Sequence, residues 1–390
     1  MRRHPLRRRK LLKHLGLGSS AAIALTACQA RQTSPLDTEL DTADDALPTL
    51  TWRMGTSWPK SLDIIYGAAE AFCTQVSDLT DGKFTITPFP SGELAPPLEL
   101  LEGVANNDFE CAHTTANYNT NDYPALSFCG ASFPFGLTAQ QHNAWFYEGG
   151  GLELMHDIYA ELGVIAFPVG DTATQMGGWF NREINTIEDL NGLRFRISGI
   201  GSEVLERFGV KITLVAGSEI LNAFSNDKVD AVEWINPYED EKLGLHRAAK
   251  YYYAPGWWGL SEPLTLMINL AQWNRLPTPY QTAMKLVAKD VSIQLAAQYN
   301  AVNGFVLAKL VAQGTELRTF SPEILKPIYE TTQEVLQEKA SQDAVFRRAY
   351  EQFTAFQQRI YRWNRLNEVS FAQLTAQDGA AQDGEAGLIL

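Results

Sequence analysis

Two segments of the chain share one pattern of helix, turn and strand. Residues 100–112 and 220–232 each begin with apolar residues at helical spacing, pass an Asn/Asp turn, and end in a short β-like run. Similar α/β units in one chain predict two similar lobes, and the cleft between lobes suits a small ligand. Chance similarity between ordinary α/β segments is the alternative. Apolar residues match at Leu100/Ile220, Leu101/Leu221, Val104/Phe224, Phe109/Val229 and Cys111/Ala231.

The strands around these repeats predict how the lobes are joined. A turn and an alternating strand precede each copy, at 81–86 and 191–197. The β-like runs at 164–181 and 262–269 lie on either side of the second repeat, so we expect them to cross between lobes and form a hinge. The predicted organisation is a first lobe at 49–169 plus 265–320, a second lobe at 170–264, C-terminal helices at 321–375 and a tail at 376–390.

The first residues of the chain read as an export signal at 1–27. Basic residues are followed by an apolar stretch from Leu15 to Ala27 that is too short to span a bilayer. Arg8 and Arg9 resemble a twin-arginine motif, and the residues ending at Cys28 resemble a bacterial lipobox, which implies lipidation of Cys28. Residues 28–48 are polar and without apolar periodicity, which predicts a flexible tether. We therefore expect a protein outside the cytoplasm, anchored to the membrane by acyl chains.

Charge narrows the possible partners. Loss of residues 1–27 removes seven basic and no acidic residues, so the formal net charge changes from −13 to −20. Such a protein repels nucleic acid, and an anionic ligand needs a local positive site. Beyond Cys28 the chain has only Cys73, Cys111 and Cys129, without metal-like spacing, which favours buried free thiols.

No catalytic signature is present in the sequence. The six histidines show no metal-ligand spacing, and GxSxG, P-loop and complete GxGxxG motifs are all missing. Reversible binding is therefore a simpler interpretation than turnover.

Arg196 is the strongest candidate for contact with an anion. It ends a predicted strand and precedes a Gly/Ser-rich turn and a helix. Ligands of open α/β sheets lie beyond the carboxyl ends of strands, where a guanidinium group can grip a carboxylate with two hydrogen bonds. A solvated arginine at a strand end is the alternative.

Glu233 and Gln175 suggest a cation beside that anion. Glu233 ends the strand of the second repeat, and Gln175 lies on the lobe-crossing run. Hard cations such as Na⁺ and Ca²⁺ take carboxylate, amide and backbone carbonyl oxygens. Most of the dense aromatic residues between 179 and 258 are expected in the core, with one or two covering the alkyl part of a small acid.

At these residues the chain resembles the extracytoplasmic solute-binding proteins of TRAP (tripartite, ATP-independent) transporters. The resemblance covers roughly residues 50–370, and it is strongest to the branch that binds 2-oxoacids and related monocarboxylates. It is carried by Gln175–Asn181 (QMGGWFN), Glu188–Ile197 (EDLNGLRFRI), Asp230–Trp234 (DAVEW), Pro237–Gly244 (PYEDEKLG) and Tyr251–Trp258 (YYYAPGWW).

The resemblance implies a periplasmic-binding-protein-like α/β clamshell with lobe-crossing strands and long C-terminal helices. It implies reversible binding of a small 2-oxo or 2-hydroxy monocarboxylate together with Na⁺ or Ca²⁺ and delivery to a membrane permease. Some members of the branch pair into dimers, for which the 321–375 helices are the candidate here. The substrate site is expected at Arg196, Gln175, Trp234, Trp58, Asn236 and Trp258, and the metal site at Gln175, Glu233, Trp234 and Glu262.

Three alternatives stay open at this point. After Trp258 the sequence differs from the family pattern, in which an acid-and-glycine-rich segment directly follows the Trp pair. Glu262 is therefore that acid at a shifted position, a cation ligand or a solvated charge. The same cleft would also serve a sensor that signals to a membrane receptor. An exported enzyme using Arg196 as anchor and Glu233 as base is the third possibility.

Overall fold

The computed structural model describes residues 47–130 and 133–375. The predicted export signal, Cys28, most of the tether and the 376–390 tail lie outside these residues. The strands, in chain order, are β1 Leu50–Thr56, β2 Phe84–Phe89, β3 Cys111–Thr114, β4 Val164–Asp171, β5 Gly178–Phe180, β6 Arg194–Arg196, β7 Lys211–Thr213, β8 Ala231–Val232, β9 Tyr251–Ala254, β10 Pro263–Asn269 and β11 Glu316–Thr319.

The helices include three long ones near the C-terminus. They are α1 Asp63–Leu79, α2 Leu100–Ala105, α3 Ala139–Glu148, α4 Gly151–Ala160, α5 Ile200–Glu206, α6 Ile220–Ser225, α7 Pro237–Leu243, α8 Leu270–Arg275, α9 Thr278–Ala312, α10 Pro322–Gln342 and α11 Ala344–Asn364. A π-helical turn at Arg365–Val369 continues α11. None of the helices within 47–130 and 133–375 is long and apolar enough to cross a membrane.

The strands form two sheets, one for each lobe. The first has the order β2-β1-β3-β10-β4, and the second has the order β11-β9-β5-β8-β6-β7. β1 is parallel to both β2 and β3, and β6 is parallel to both β7 and β8. Each sheet therefore contains the same β-α-β-α-β unit with its first strand in the middle.

The repeat at 100–112 and 220–232 corresponds to real structure, α2 with β3 and α6 with β8. The strands that precede the two copies are, however, not equivalent. β6 occupies the central position that β1 occupies in the first sheet, while β7, directly before α6, corresponds to β2. β7 is too short and polar to show a period, so the sequence matched β6 with β2. This correction explains why Arg196 at the end of β6 faces residues that follow β1.

The chain crosses between the sheets at three places. The run at 164–181 is not one strand, because β4 belongs to the first sheet and β5 to the second. The return crossing lies just before β10. α9 makes a third crossing: it packs against α1 and β4 and also against α7, and leads into β11 of the second sheet. Residues 316–319 were expected in the first lobe, so their sheet differs from that expectation.

The cysteines that the structure describes are buried thiols. Cys73 lies on α1, Cys111 on β3, and Cys129 follows a turn of 3₁₀ helix, and all three are free. Burial raises the pKa of each thiol, which keeps it protonated and unreactive.

Candidate functional site

A small cavity lies where the carboxyl ends of four strands meet. Residues directly after β1 and β3 face residues directly after β6 and β8, which is where open α/β sheets bind ligands. Its volume is about 20 Å³, room for one water-sized group. The lining residues come from both lobes: Trp58, Thr115, Asn117, Tyr118, Thr172, Arg196, Ser198, Glu233, Trp234, Ile235, Glu262 and Leu264.

Arg196 lies in the wall of this cavity and is only 1% exposed. Its Nη1 donates to the carbonyl oxygen of Glu233 at 2.7 Å and to Oε2 of the same residue at 2.8 Å. Nε and Nη2 both donate to the carbonyl oxygen of Val215, at 3.2 and 3.1 Å. Four of the five guanidinium N–H groups therefore have protein partners within the described residues. One N–H, on Nη2, is left for a ligand, so the expected two-bond grip on a carboxylate is not preformed.

Glu233 is the buried counter-charge of Arg196. The register of parallel β6 and β8 places Arg196 beside Val232, so the next residue along β8 reaches the guanidinium group. Burial raises the pKa of Glu233 to about 8, an effect that Arg196 opposes and that the carboxylates of Glu262 and Asp240 reinforce. A buried carboxylate with this environment gains from any further positive charge that enters the cavity.

Two indole rings form the apolar walls. The guanidinium carbon of Arg196 lies 5.4 Å from the ring centre of Trp234, and the rings of Trp58 and Trp234 meet edge to face at 6.3 Å. A side chain at Gly217 would collide with the Trp234 ring, so a glycine there is what allows this position. Trp58 Nε1 donates to Nδ1 of His113, whose Nε2 therefore donates to the carbonyl oxygen of Val169.

Glu262 is a buried cavity residue and not a solvated charge, so that alternative is wrong. It is 6% exposed, accepts a hydrogen bond from the hydroxyl of Thr115, and accepts another from Asn117 Nδ2 at 3.0 Å. Its backbone N–H donates to Thr172 Oγ1 at 2.9 Å. Glu262 and Glu233 thus bring two carboxylates to one cavity.

The side-chain amide of Gln175 lies next to the hydroxyl of Thr172. Its Nε2 donates to Thr172 Oγ1 at 3.0 Å, while its Oε1 is buried without a hydrogen-bond partner in the part of the chain that the structure describes. A buried acceptor of this kind is costly unless a cation or donor meets it. With Glu233 and Glu262 it makes an all-oxygen donor set, which suits Na⁺ or Ca²⁺.

Three residues expected to contact substrate, Gln175, Asn236 and Trp258, do not line the cavity. Asn236 caps α7 by accepting from the N–H of Glu239, and its Nδ2 donates to the carbonyl oxygen of Thr172 at 3.0 Å. Trp258 is packed behind β6, against Phe195 and Trp257. Gln175 lies next to the lining residues through Thr172, whereas Trp58, Trp234, Arg196, Glu233 and Glu262 all line the cavity.

The sequence reasoning missed several lining residues that follow β3. Thr115, Asn117 and Tyr118 stand at the start of a segment expected only as loops near the cleft. Tyr118 is the most informative of them, because its buried hydroxyl has no hydrogen-bond partner of ordinary geometry within the described residues. Equivalence of β3 and β8 is the signal that would have found them, since Glu233 and Trp234 stand in the same place after β8.

The model of the family described as bacterial extracellular solute-binding protein, family 7, matches residues 54–343. The chain belongs to this family. A monocarboxylate 2-oxoacid-binding periplasmic protein of Nostoc sp. is 43% identical over 366 residues, which are 94% of this chain and 98% of that protein. The expected relationship to TRAP solute-binding proteins is confirmed, and as a family 7 protein the chain is placed outside the cytoplasm.

Solved structures of family members share the fold. A TRAP transporter solute-binding protein from Bordetella bronchiseptica RB50 is 39% identical with a TM-score of 0.84, covering 86% of this chain and 99% of that one. Its structure is a dimer with calcium and picolinate in one site and the other site apo. A TRAP periplasmic solute-binding protein from Pseudoalteromonas atlantica T6c, with bound sodium and pyruvate, is 30% identical and has a TM-score of 0.81. The match covers 83% of this chain and 99% of that one. These similarities confirm the predicted two-lobed α/β fold.

Proposed function

We propose that this family 7 protein is the extracytoplasmic receptor of a TRAP importer and binds a small 2-oxo or 2-hydroxy monocarboxylate together with Na⁺ or Ca²⁺. The observation that carries the proposal is the buried pair of Arg196 and Glu233, which presents one guanidinium N–H and one carboxylate to a small cavity between the lobes. The relatives support it, since two of similar fold hold pyruvate, one with sodium and one, from Colwellia psychrerythraea, with calcium.

The anion is held at the positive end of the cavity. The remaining Nη2–H of Arg196 donates to the substrate carboxylate, and the hydroxyl of Tyr118 supplies a second donor from the first lobe. Because Arg196 and Tyr118 belong to different lobes, an acid that bridges them favours the closed form.

The cation is held by oxygens in or beside the same cavity. The groups that would hold it are Gln175 Oε1, the carboxylates of Glu233 and Glu262, and the backbone carbonyl of Trp234. The bound ion would supply positive charge between the protein carboxylates and the substrate carboxylate, so that both are attracted to it.

The cavity favours the smallest acids. The apolar lining is limited to Trp58, Trp234, Ile235 and Leu264, and the volume is close to that of a single water-sized group. A methyl group such as that of pyruvate or lactate requires less displacement of these side chains than a branched tail. Binding is expected without turnover, because the family to which the chain belongs is described as solute-binding.

Calorimetric titration of the chain from residue 29 onward tests this proposal. Pyruvate, lactate, 2-oxobutyrate and 2-oxoisovalerate are each titrated with Na⁺, with Ca²⁺, and after removal of both. Micromolar or tighter binding of the three-carbon acids that depends on a cation supports the proposal. Absence of heat for every acid, in folded protein freed of co-purified ligand, contradicts it. Unchanged pyruvate in proton NMR spectra after long incubation separates binding from turnover.

Delivery to a membrane permease and attachment through a lipidated Cys28 belong to the same proposal. Cys28 lies outside the described residues, so its support is the lipobox pattern alone. Mass spectrometry of the membrane-bound protein, with a Cys28→Ala variant as control, tests the anchor. Release of the variant into the soluble periplasmic fraction is the expected result.

We also propose that two copies pair through the C-terminal helix. Trp363, Leu366, Phe371 and Leu374 are 60–73% exposed on α11 and its continuation. A doubly substituted chain, Phe371→Glu with Leu374→Glu, is expected to elute as a monomer in light-scattering chromatography. Phe305→Glu, which changes an 81% exposed phenylalanine on α9, is the matched control. Monomeric wild-type protein at micromolar concentration would contradict pairing.

A further inference from the structure

Two of the three crossings between the sheets meet at one hydrogen-bonded pair. The N–H of Thr172 donates to the carbonyl oxygen of Glu262 at 3.0 Å, and the N–H of Glu262 donates to Thr172 Oγ1 at 2.9 Å. β4 ends one residue before Thr172 and β10 begins one residue after Glu262. Thr172 and Glu262 also line the binding cavity, so any shift of the chain at the end of β4 or the start of β10 moves the cavity wall.

His142, on α3 in the first lobe, lies against the two chain segments that cross between the sheets at Thr172 and Glu262. It is 5% exposed, and its Nδ1 lies 3.1 Å from Ser261 Oγ and 3.6 Å from Asp171 Oδ2. Ser261 and Asp171 immediately precede Glu262 and Thr172 in the chain. Ser261 and Asp171 are themselves 2% and 3% exposed, so no solvent separates the three side chains.

The direction of these hydrogen bonds follows from the surrounding groups. Ser261 Oγ donates to the carbonyl oxygen of Leu137 at 3.4 Å, which leaves it as an acceptor toward His142. Asp171 accepts the N–H of Ala173 through Oδ1, and its Oδ2 faces the imidazole. We therefore assign the proton of His142 to Nδ1, from which it is donated to Ser261 Oγ, with the Asp171 carboxylate 3.6 Å away.

The helix that carries His142 is fixed in place at that end. α3 begins with a capping box, in which Thr138 Oγ1 accepts from the N–H of Gln141 and Gln141 Oε1 accepts from the N–H of Thr138. The N–H of His142 then donates to the carbonyl oxygen of Thr138 at 2.8 Å. The imidazole is therefore buried on a helix turn that is held in one position.

A nucleophilic triad does not explain this Ser, His and Asp cluster. A triad needs one imidazole nitrogen for the serine and the other for the aspartate. Here the same nitrogen, Nδ1, faces both, and the serine is buried away from the cavity. The arrangement suits orientation and not proton transfer.

We propose that His142 is a positioning residue for the binding site, which holds Thr172 and Glu262 in the orientation that receives the cation and the acid. The inference rests on the proposed function. It predicts that His142 acts through its Nδ1 donor, in the way that groups behind metal ligands orient them. A change at His142 then lowers cation and acid affinity although the side chain touches neither.

Four variants test the donor role. His142→Leu removes the donor, and His142→Asn keeps an N–H close to the position of Nδ1. Ser261→Ala removes the acceptor directly before Glu262, and it serves as the second variant if the leucine chain does not fold. His156→Leu is the matched control, because His156 packs on Phe167 in the first lobe, away from the crossings.

The readouts are the Kd for pyruvate at saturating Ca²⁺, the Kd for Ca²⁺ at saturating pyruvate, and the melting temperature. His142→Leu and Ser261→Ala are expected to weaken both affinities by about 10- to 100-fold, and His142→Asn to restore them to within about threefold of wild type. His156→Leu should leave both unchanged. Wild-type affinities in the leucine and alanine variants, or equal losses in the leucine and asparagine variants, would overturn the proposal. A wild-type chain that binds none of the acids contradicts the proposed function instead.

Discussion

Substitution of Arg196 by methionine should separate ligand binding from folding. Methionine fills much of the same volume but offers no charge and no N–H. The change removes the buried group that we propose meets the substrate carboxylate, and losses of about 2–5 kcal/mol are typical for one partner of a desolvated charge pair. The Kd for pyruvate should therefore rise by about 30-fold to several thousand-fold. Isothermal titration in saturating Ca²⁺ measures it.

The same substitution leaves Glu233 buried without its counter-charge. Breaking a buried ion pair from one side costs about 3–5 kcal/mol of folding free energy, and proton uptake by Glu233 places the cost at the lower end. Its pKa already stands at about 8 in the presence of Arg196, which opposes the rise. The double variant Arg196→Met with Glu233→Met replaces the whole pair by apolar groups, so it should recover stability in urea denaturation but not binding.

Arg194 provides the matched control for both measurements. It lies two residues earlier on β6, pairs with Asp230 at 2.9 Å, and its side chain is 40% exposed. Arg194→Met should change stability by at most about 1 kcal/mol and leave the pyruvate Kd unchanged. The reasoning is refuted if Arg196→Met binds pyruvate like wild type, or if the double variant is less stable than the single one.

Three further changes test other parts of the structure. Glu233→Gln should make pyruvate binding independent of added Na⁺ or Ca²⁺ in calorimetry while the melting curve stays cooperative. Burial raises the pKa of Glu239 to about 7 from an unfolded value near 4.5, so the wild type should lose up to about 3 kcal/mol of stability as pH rises between these values. Glu239→Gln should lose about 3 kcal/mol less than wild type between pH 5 and pH 8 in urea titrations, while Glu233 and Asp240, with pKa values raised to about 8 and about 6, titrate in both chains. Lys242→Ala removes a half-exposed contact with Asp63 across the lobes, 3.1 Å long, and should weaken pyruvate binding no more than about fivefold.

Much of the fold was predictable because the two repeats bury the same kinds of side chain. Leu100 and Ile220 both face their sheets, and a helix of six residues followed by a turn and strand is visible from apolar spacing alone. Strand order was not visible. β7 has no buried residue in its Lys-Ile-Thr sequence, so its pairing beside β6 is set by tertiary packing that no local pattern reports.

The site was predictable where a strand ends and unpredictable where a loop begins. Arg196 and Glu233 were found from their positions after strand patterns, but their direct ion pair depends on the register of β6 with β8, which the sequence does not encode locally. Tyr118 comes from a 3₁₀ turn without periodicity. Trp258 was expected to contact the ligand but lies in the core. The prediction failed because a high density of aromatic residues does not tell which face of the chain each of them occupies.

The charges around the cavity explain why an acid should need a cation here. Arg196 contributes one positive charge. Burial raises the pKa of Glu233 to about 8, and a cation beside Glu233 would lower it again, so cation binding favours the carboxylate form. With Glu233 and Glu262 both as carboxylates, a monocarboxylate would bring the buried total to −2 before the charge of the cation is added. Na⁺ reduces this excess to −1 and Ca²⁺ cancels it, and uncompensated buried charge is costly. Pyruvate should therefore bind at least about tenfold more tightly in saturating Ca²⁺ than in saturating Na⁺. Equal affinities in calorimetry would contradict this reasoning, because they would show that one of the two carboxyl groups stays neutral when the cation is bound.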